Sequence, residues 1–504
     1  MNATPFRISL VAAVIATFAS GLADAQSRLS YQGNFGARNP HADPSFQQFG
    51  EGLASGDFDG DGIDDVVILE SFNSRMRVMR GRSWDFSQTG FFFKFTSTSV
   101  ETPGHNGVVA TGDFDGDGKD EIVLGFFSQS FNGMSEVGKV SIMRRSSSGE
   151  WIEQGFIRLG SNGYPGGSPM EHDSLGQSVA VGDFDDDGYA DLAIGANRRT
   201  VLGQQNAGSV LVVYGSASGL GPARSQLWNR FNNGVGDPVE AGDYFGSALA
   251  VADFTGDGPD DLVITIRAAR CPNGQRGGGV VVMRGSAGGI TSVQSKGYFA
   301  GVDGTPGSCT AGTDFGRSLA TGRFNNDARP DLAIGAYGTP EERGSVTVLA
   351  SSITGPGPNS SRYFRGSDMP VSPVGASTIG YVLQAGRLRG TSTLDSLLLG
   401  APYEDVNGSG DAGSVWVMHP DVGANGLSLN GVERWVQNVR MALEPIEPLQ
   451  FGDRFGSSLA VGDFNGDGVR DLAVGAVYRG DPETHAGAVQ FLYQSEFILK
   501  NGFD

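Results

Sequence analysis

Residues 56–65 read GDFDGDGIDD, a stretch that places five aspartates within nine positions. Carboxylates this close repel one another unless a cation lies among them. The aspartates at 57, 59 and 61 alternate, so their side chains can converge on one hard cation, and the glycine at 62 permits a sharp turn. Coordination by oxygen alone with several carboxylates favours calcium over magnesium. The stretch therefore predicts a calcium-binding loop.

The same loop recurs along the chain at spacings that indicate a repeat. The loops begin at Asp57, Asp113, Asp183, Asp253 and Asp463, with degenerate copies at Arg323 and Arg387. Each copy lies between two short apolar stretches, as in FGSSLAVGDF and DLAVGA, and further β-rich stretches follow. Each repeat is thus predicted to form a four-stranded sheet, and seven sheets arranged radially can bury their faces against one another. We predict an all-β fold, a seven-bladed β-propeller with calcium-binding hairpin loops.

The beginning of the chain predicts export. Residues 1–25 combine one arginine, an apolar run and a small-residue end, as secretory signal peptides do. The apolar run is shorter than the ~20 residues that span a bilayer, and no later segment resembles a membrane helix. Residues 26–504 are then predicted to form a single propeller, in which residues 28–36 supply the strand that completes the last blade. We expect a secreted protein, extracellular or periplasmic.

The predicted calcium ligands occupy fixed loop positions. Positions 1, 3, 5 and 9 supply side chains, and position 7 supplies a backbone carbonyl. The five sets are Asp57, Asp59, Asp61, Ile63 and Asp65; Asp113, Asp115, Asp117, Lys119 and Glu121; Asp183, Asp185, Asp187, Tyr189 and Asp191; Asp253, Thr255, Asp257, Pro259 and Asp261; and Asp463, Asn465, Asp467, Val469 and Asp471. We therefore expect about five Ca²⁺ sites. Position 12 is apolar in every set, which excludes the EF-hand.

The two degenerate loops predict no calcium site. In the fifth copy Arg323 occupies position 1 while Asn325, Asp327 and Asp331 persist, so we expect the guanidinium to pair with the acids in place of a cation. In the sixth copy Arg387, Arg389 and Thr391 replace ligands. Near Asp395 this copy can be aligned with the others in two ways that differ by one residue.

The stretch FGSSLAVGDFNGDGVRDLAVGA at residues 455–476 resembles the FG-GAP repeat of integrin alpha chains. The resemblance covers essentially the whole mature chain in seven copies. It implies a seven-bladed propeller with calcium in hairpin loops on one face and partner recognition on the opposite face. A complete Gly-Ala-Pro end survives only at residues 400–402, which is a departure from the family pattern.

The net charge limits the classes of partner that we expect, and the cysteines bear on the redox state of the compartment. The net charge of −20 argues against nucleic acid and anionic membranes as partners. Cys271 and Cys309 are the two cysteines, and both fall in connections on the face opposite the calcium loops. In an exported protein they favour a disulfide, with two buried free thiols as the alternative.

Function is predicted less sharply than fold. Calcium in such loops favours a structural role, so we expect a binding or adhesion module with an unknown protein or glycan ligand on the opposite face. Aromatic residues follow the second strands there: Phe126, Phe127, Tyr337, Tyr403 and Tyr478. They would form a recognition surface or, equally, pack between blades.

Three further hypotheses stay open. Arg479-Gly480-Asp481 resembles the adhesion signal read by integrins, although such a tripeptide is common by chance in a chain rich in glycine and aspartate. No catalytic motif stands out, but a secreted hydrolase of glycans or phosphoesters, with its site on the opposite face, is the alternative function. A purely structural component of the cell envelope is the third.

Overall fold

The structure is a computed structural model. It describes residues 34–37, 48–70, 75–81, 95–99, 108–235, 238–338, 341–370, 379–389, 392–421, 426–437, 451–478 and 487–493. The predicted signal peptide at 1–25 and the first part of the predicted closing segment, 28–33, lie outside these residues.

The strands form seven four-stranded antiparallel sheets, which confirms the predicted seven-bladed β-propeller. Blade 1 contains β2 (Phe49–Gly56), β3 (Asp65–Glu70), β4 (Arg75–Met79) and β5 (Phe95–Ser99); blade 2 contains β6 (Val108–Gly112), β7 (Glu121–Phe126), β8 (Lys139–Arg145) and β9 (Trp151–Ile157); blade 3 contains β10 (Leu175–Gly182), β11 (Asp191–Ala196), β12 (Ser209–Val213) and β13 (Ser225–Trp228); blade 4 contains β14 (Phe245–Ala252), β15 (Asp261–Ile266), β16 (Gly279–Arg284) and β17 (Thr291–Tyr298).

The remaining blades follow the same order. Blade 5 contains β18 (Leu319–Gly322), β19 (Asp331–Ala336), β20 (Ser345–Ser352) and β21 (Gly355–Arg365); blade 6 contains β22 (Val382–Gly386), β23 (Ser396–Ala401), β24 (Ser414–Met418) and β27 (Glu433–Trp435); blade 7 contains β28 (Phe455–Gly462), β29 (Asp471–Ala476), β30 (Ala488–Leu492) and β1 (Asn34–Ala37). A small hairpin of β25 (Pro420–Asp421) and β26 (Gly426–Leu427) lies within blade 6, and a 3-10 turn covers Gly366–Asp368. The described residues contain no α-helix.

The ring closes through the chain termini. The innermost strands of neighbouring blades pack side by side around the ring, and β28 of blade 7 packs against β2 of blade 1. Within blade 7, β1 pairs with β30, with Asn34 opposite Leu492 and Ala37 opposite Val489. The outer strand of the last blade therefore comes from the beginning of the chain. It overlaps the predicted segment 28–36 at residues 34–36.

The hydrophobic core lies between the blades. Seven clusters of buried side chains form it, each contributed by two consecutive blades. Two aromatic positions of the repeat explain this arrangement: in blade 4, Phe245 packs against blade 3 and Phe254 packs against blade 5. Neither side chain is exposed, so each burial contributes about 1.5–3 kcal/mol. The repeated phenylalanines thus join each blade to both neighbours.

The glycine after the first phenylalanine position allows two backbones to approach closely. In blade 3, Gly176 has a φ of +93°, and a Cβ there would lie 3.0 Å from the Cα of Gly125 in blade 2. A Cβ on Gly125 would in turn lie 2.4 Å from the carbonyl oxygen of Gly176. Side chains at either position would force the two blades apart.

Candidate metal centre

Each acidic loop connects the first and second strands of a blade, so all of them lie on one face of the ring, called here the loop face. The position-1 aspartate organises the loop backbone. In blade 1 the Asp57 carboxylate accepts hydrogen bonds from the backbone N–H of Gly60 (2.8 Å), Asp61 (3.1 Å) and Gly62 (2.7 Å). Gly62 adopts a φ of +81°, a left-handed conformation that favours glycine. The loop is therefore shaped by its own carboxylate and glycine.

The position-9 acid is buried at the base of the loop. In blade 3, Asp191 accepts hydrogen bonds from the backbone N–H of Phe184 and of Gly215, both at 2.8 Å. Burial raises the pKa of Asp191 to about 7, and the nearby Asp185 and Asp183 carboxylates add to the rise. A cation beside these groups would stabilise the ionised form. Burial likewise raises the pKa to about 7 at the same position of other blades: Asp65, Glu121, Asp261 and Asp331.

Three of the five predicted ligand sets bring carboxylate oxygens together within 4.8 Å of one another. These groups are Asp57, Asp59 and Asp61 in blade 1, Asp113, Asp115 and Glu121 in blade 2, and Asp183, Asp185 and Asp191 in blade 3. In the predicted ligand sets of blades 1 and 3, three buried oxygens have no hydrogen-bond donor: Asp59 Oδ1, Asp65 Oδ2 and Asp185 Oδ1. Buried carboxylate oxygens without donors are costly unless a cation satisfies them. The residues of blades 1–3 therefore fit a calcium ion.

The other two predicted sets each lack one carboxylate. In blade 4 the Thr255 hydroxyl lies 3.3 Å from Asp253 Oδ1, and the backbone of Gly256 donates to the same oxygen at 2.7 Å. In blade 7 the Asn465 amide nitrogen lies 3.5 Å from Asp471, while Asp463 accepts from Gly468 at 2.8 Å. Both loops keep the same backbone organisation with a poorer set of oxygen ligands.

The residues at position 7, whose carbonyls are predicted ligands, are held in the loop turn by a backbone hydrogen bond. In the loops where that residue is not proline, its backbone N–H donates to the position-5 aspartate. The distances are 3.0 Å for Ile63, 3.0 Å for Lys119, 3.1 Å for Tyr189 and 2.9 Å for Val469. In the fourth loop this position is Pro259, which has no N–H to donate.

Arginines border the acidic loops and supply counter-charge. In blade 3, Arg224 forms ion pairs with Asp185 and, at 3.0 Å, with Asp187. In blade 4, Arg284 lies 3.5 Å from Asp261 and 4.0 Å from Asp257. These ion pairs offset part of the negative charge of the two loops.

The fifth loop differs from the prediction. The expected ion pair between Arg323 and the loop acids is not formed; the guanidinium donates instead to the backbone oxygen of Asp327 at 3.3 Å. Asn325 donates its amide to both oxygens of Asp331, at 3.1 and 3.0 Å. The reason lies partly in the backbone, because position 6 is Ala328, which does not adopt the left-handed conformation of the glycine loops.

The sixth loop is one residue longer than the others, which resolves its open alignment. Gly386 pairs with Ser396, so Ser396 takes the position of the buried acid. Its hydroxyl lies 2.7 Å from Nδ1 of His419, whose Nε2 lies 3.4 Å from Glu433. Ser396 and His419 are both buried, so this trio closes the hairpin and does not present a nucleophile to solvent. Thr391 lies outside the described residues.

A second acidic position, position 8, was missed by the sequence reasoning. Its carboxylate accepts a hydrogen bond from the position-1 backbone N–H of the preceding blade. The pairs are Asp64 with Asp463 (2.8 Å), Asp120 with Asp57 (3.0 Å), Asp260 with Asp183 (3.0 Å) and Asp395 with Arg323 (2.8 Å). The signal was present in the paired acids that end several loops, such as Asp64-Asp65. These carboxylates join neighbouring loops around the ring.

The opposite face carries the disulfide and most of the predicted aromatic residues. Cys271 and Cys309 form a disulfide, with Cα atoms 6.4 Å apart. Phe126 is buried between blades 1 and 2, whereas Phe127 is half-buried. Tyr337, Tyr403 and Tyr478 are half-buried, and each directly follows or lies close after the second strand of its blade, in blades 5, 6 and 7. The Arg479-Gly480-Asp481 tripeptide lies outside the described residues.

Comparisons with known proteins agree with this architecture. The FG-GAP repeat family matches residues 175–213, 245–283 and 455–492, and an FG-GAP-like repeat matches residues 57–124. Integrin alpha-PS2 of Drosophila melanogaster is 31% identical over 239 residues, which cover 46% of this chain and 15% of the relative.

Two other relatives show the same partial match. Phosphatidylinositol-glycan-specific phospholipase D of Bos taurus is 29% identical over 180 residues, covering 35% of this chain and 20% of that enzyme. Integrin alpha pat-2 of Caenorhabditis elegans is 28% identical over 241 residues, which cover 43% of this chain and 17% of that relative. The chain thus spans a fifth or less of the length of these relatives. Among the described residues, no helix has the length and apolar character to cross a membrane.

Proposed function

Because the chain is an FG-GAP repeat protein that resembles integrin alpha chains, we propose that it is a secreted binding module stabilised by calcium. Calcium binds the acidic loops and has a structural role. A protein or glycan ligand binds the opposite face. The proposal includes removal of residues 1–25 as a signal peptide, with the mature chain forming one propeller.

The observation that carries the calcium assignment is the grouping of carboxylates in blades 1–3, with buried oxygens that lack donors in blades 1 and 3. The first-position aspartate, the buried acid and the intervening side chain would hold the ion in each loop. When bound, calcium supplies positive charge that offsets carboxylate repulsion and ties the hairpin to its loop. We propose about five ions, with the sites of blades 4 and 7 weaker than the others because Thr255 and Asn465 replace carboxylates.

The proposal of a binding module rests on the propeller fold and not on the activity of any relative. The matches to integrin alpha chains and to the phospholipase D both cover small parts of those proteins, so neither adhesion nor hydrolysis transfers with the match. Recognition is assigned to the face opposite the loops because the disulfide and the half-buried tyrosines lie there, and connecting loops choose ligands in repeat folds.

Calcium counting and thermal unfolding test the proposal. The mature protein is measured by native mass spectrometry and by thermal melting, with about 10 mM calcium and with chelator. Each ion with a Kd of about 10⁻⁴–10⁻³ M would add about 1.4–2.7 kcal/mol at that concentration. We expect about five ions and a large loss of stability on chelation. No bound ion, or identical melting in both conditions, would contradict the calcium assignment.

A further inference from the structure

Four tyrosines form a continuous cluster on the opposite face, called here the tyrosine cluster: Tyr337, Tyr381, Tyr403 and Tyr478. The ring of Tyr381 lies edge to face with that of Tyr337, 5.9 Å between centroids, and with that of Tyr403, 5.2 Å between centroids. The hydroxyls of Tyr381 and Tyr403 are 3.4 Å apart. Gln48, at the entrance of blade 1, donates to the Tyr478 hydroxyl at 3.0 Å. The cluster thus extends across three blades to the edge of a fourth.

Two arginines lie against these rings. Arg317 stands over Tyr337 and Tyr381, with its guanidinium carbon 4.9 and 4.3 Å from the ring centroids. Arg454 stands over Tyr403 and Tyr478 at 4.8 and 4.5 Å. Arg454 immediately precedes β28, and Arg317 lies two residues before β18. Both guanidinium groups therefore lie where the innermost strands begin, near the centre of the opposite face.

The Arg454 guanidinium is held by aromatic rings. Arg317 has an acidic partner, Asp314, at 3.4 Å, and the buried Arg199 has Asp173 at 2.8 Å. Within the described part of the chain, no ion pair joins Arg454 to an acidic side chain, and its Nε is buried without a hydrogen-bond acceptor. Aromatic faces stabilise a guanidinium partly, but they leave its in-plane N–H donors unsatisfied. Such a group is suited to receive an anion.

The geometry selects the kind of anion. A guanidinium carries its N–H donors in one plane, and this planar fork matches a carboxylate. The side chains around it end in hydroxyl groups, which can donate to and accept from the hydroxyls of a sugar. In a protein with a net charge of −20, a cation at this place also favours binding of an acidic ligand here over the rest of the surface.

We infer that Arg454 and the tyrosine cluster bind a carboxylate-bearing oligosaccharide, with the sugar carboxylate on Arg454 and sugar hydroxyls on the tyrosine hydroxyls. The inference rests on the proposed function, because it names the ligand class of the proposed recognition face. Calcium on the loop face takes no direct part in this contact.

Isothermal titration calorimetry of the mature protein in calcium tests the inference. The probes are trigalacturonate and a hyaluronan tetrasaccharide; the controls are the methyl ester of trigalacturonate and hexaglutamate. We expect the acidic sugars to bind and the ester to bind at least about 10-fold more weakly, since a charge-assisted hydrogen bond is lost. Equal binding of acid and ester, no binding of either acidic sugar, or binding of hexaglutamate alone would each overturn the inference.

Variants assign the binding to Arg454. Arg454→Gln should weaken trigalacturonate binding about 10- to 100-fold, and Arg454→Lys, which keeps the charge without the fork, by less. Tyr403→Phe keeps the ring and removes a hydroxyl, so we expect a loss of about 3- to 10-fold. Arg365→Gln, which removes an exposed arginine paired with Asp368 at 2.8 Å, is the matched control and should bind like the parent.

The two proposals fail in distinguishable ways. If Arg454→Gln unfolds, as judged by its melting, Tyr403→Phe still decides the assignment. A protein that binds acidic sugar through Arg454 but holds no calcium would keep this inference and overturn the calcium assignment. A protein that holds calcium and binds hexaglutamate but no acidic sugar would keep the proposed recognition face and overturn this inference.

Discussion

Blades 3 and 5 carry the same hairpin around loops of different chemistry. In both, the buried acid accepts hydrogen bonds from two backbone N–H groups: Asp191 from Phe184 and Gly215, both at 2.8 Å, and Asp331 from Ser351 at 2.9 Å and Phe324 at 3.3 Å. In blade 3 this acid has carboxylates for neighbours. In blade 5 it has the Asn325 amide, which donates to it twice.

The comparison separates two roles that the repeat combines. The buried acid belongs to the hairpin, because in blades 1, 3, 4 and 5 it starts the second strand and accepts a hydrogen bond from the backbone at the end of the third strand or just after it. Under the calcium assignment proposed above, the first and third loop positions decide whether the remaining negative charge is offset by an ion or by the chain itself. Blade 5 therefore serves as an internal control for the calcium assignment of blade 3.

Removal of the buried acid gives the largest expected effect. Asp191→Ala and Asp331→Ala should each lower the free energy of unfolding by about 2–4 kcal/mol in chelator, because two backbone N–H groups lose a buried acceptor. In about 10 mM calcium, Asp191→Ala should cost about 1.4–2.7 kcal/mol more, since it also weakens an ion site. Urea unfolding with and without calcium measures both values.

Asp331→Ala is the control for this prediction, because its blade offers no complete ligand set. Its cost should be the same in calcium and in chelator. If the two variants respond equally to calcium, blade 3 holds no ion, and the difference between the two loops has no functional meaning.

Conversion of the fifth loop gives the next largest effect. Arg323→Asp together with Ala328→Gly would give blade 5 the side-chain ligands of blade 7, namely two aspartates, one asparagine and the buried acid. We expect one additional bound calcium ion and a gain of about 1.4–2.7 kcal/mol at about 10 mM calcium. Native mass spectrometry counts the ion, and urea unfolding measures the gain.

The single change Arg323→Asp sharpens this test. With Ala328 kept, the loop must place a Cβ in the left-handed conformation, at a cost of about 1–2 kcal/mol, so its ion should bind about 5- to 30-fold more weakly. Equal calcium affinity in the single and double variants would show that the glycine at position 6 does not limit binding.

The fold could be predicted well from the sequence because short local patterns specify the propeller. The acidic loop marks one end of each hairpin, and Phe254 and its equivalents recur because each blade must fill one gap toward the next. The glycine pair of Gly125 and Gly176 shows why the repeat also keeps small residues where blades touch. Such signals are local and repeat seven times, so one weak copy does not obscure them.

The functional sites were less predictable, because they depend on contacts between blades. Arg454 contacts Tyr403 and Tyr478, which belong to blades 6 and 7. No spacing in the sequence indicates this contact. In the fifth loop, the pattern of acids does not reveal the backbone conformation at Ala328. The position-8 carboxylates were overlooked because their partners belong to the preceding blade.

Removal of a position-8 carboxylate gives the smallest expected effect. Asp260 accepts from the blade 3 loop and Asp395 accepts from the blade 5 loop, at 3.0 and 2.8 Å, so both loops share this bond whatever their ligands. Asp260→Ala and Asp395→Ala should each cost about 0.5–1.5 kcal/mol, the value of one half-buried hydrogen bond, and the cost should not depend on calcium. Urea unfolding in calcium and in chelator measures it. A cost for Asp260→Ala that appears only in calcium would mean that the ion positions the bond between the blades. Equal costs in both conditions would mean that the ring is joined by its own carboxylates, and that calcium acts within each blade.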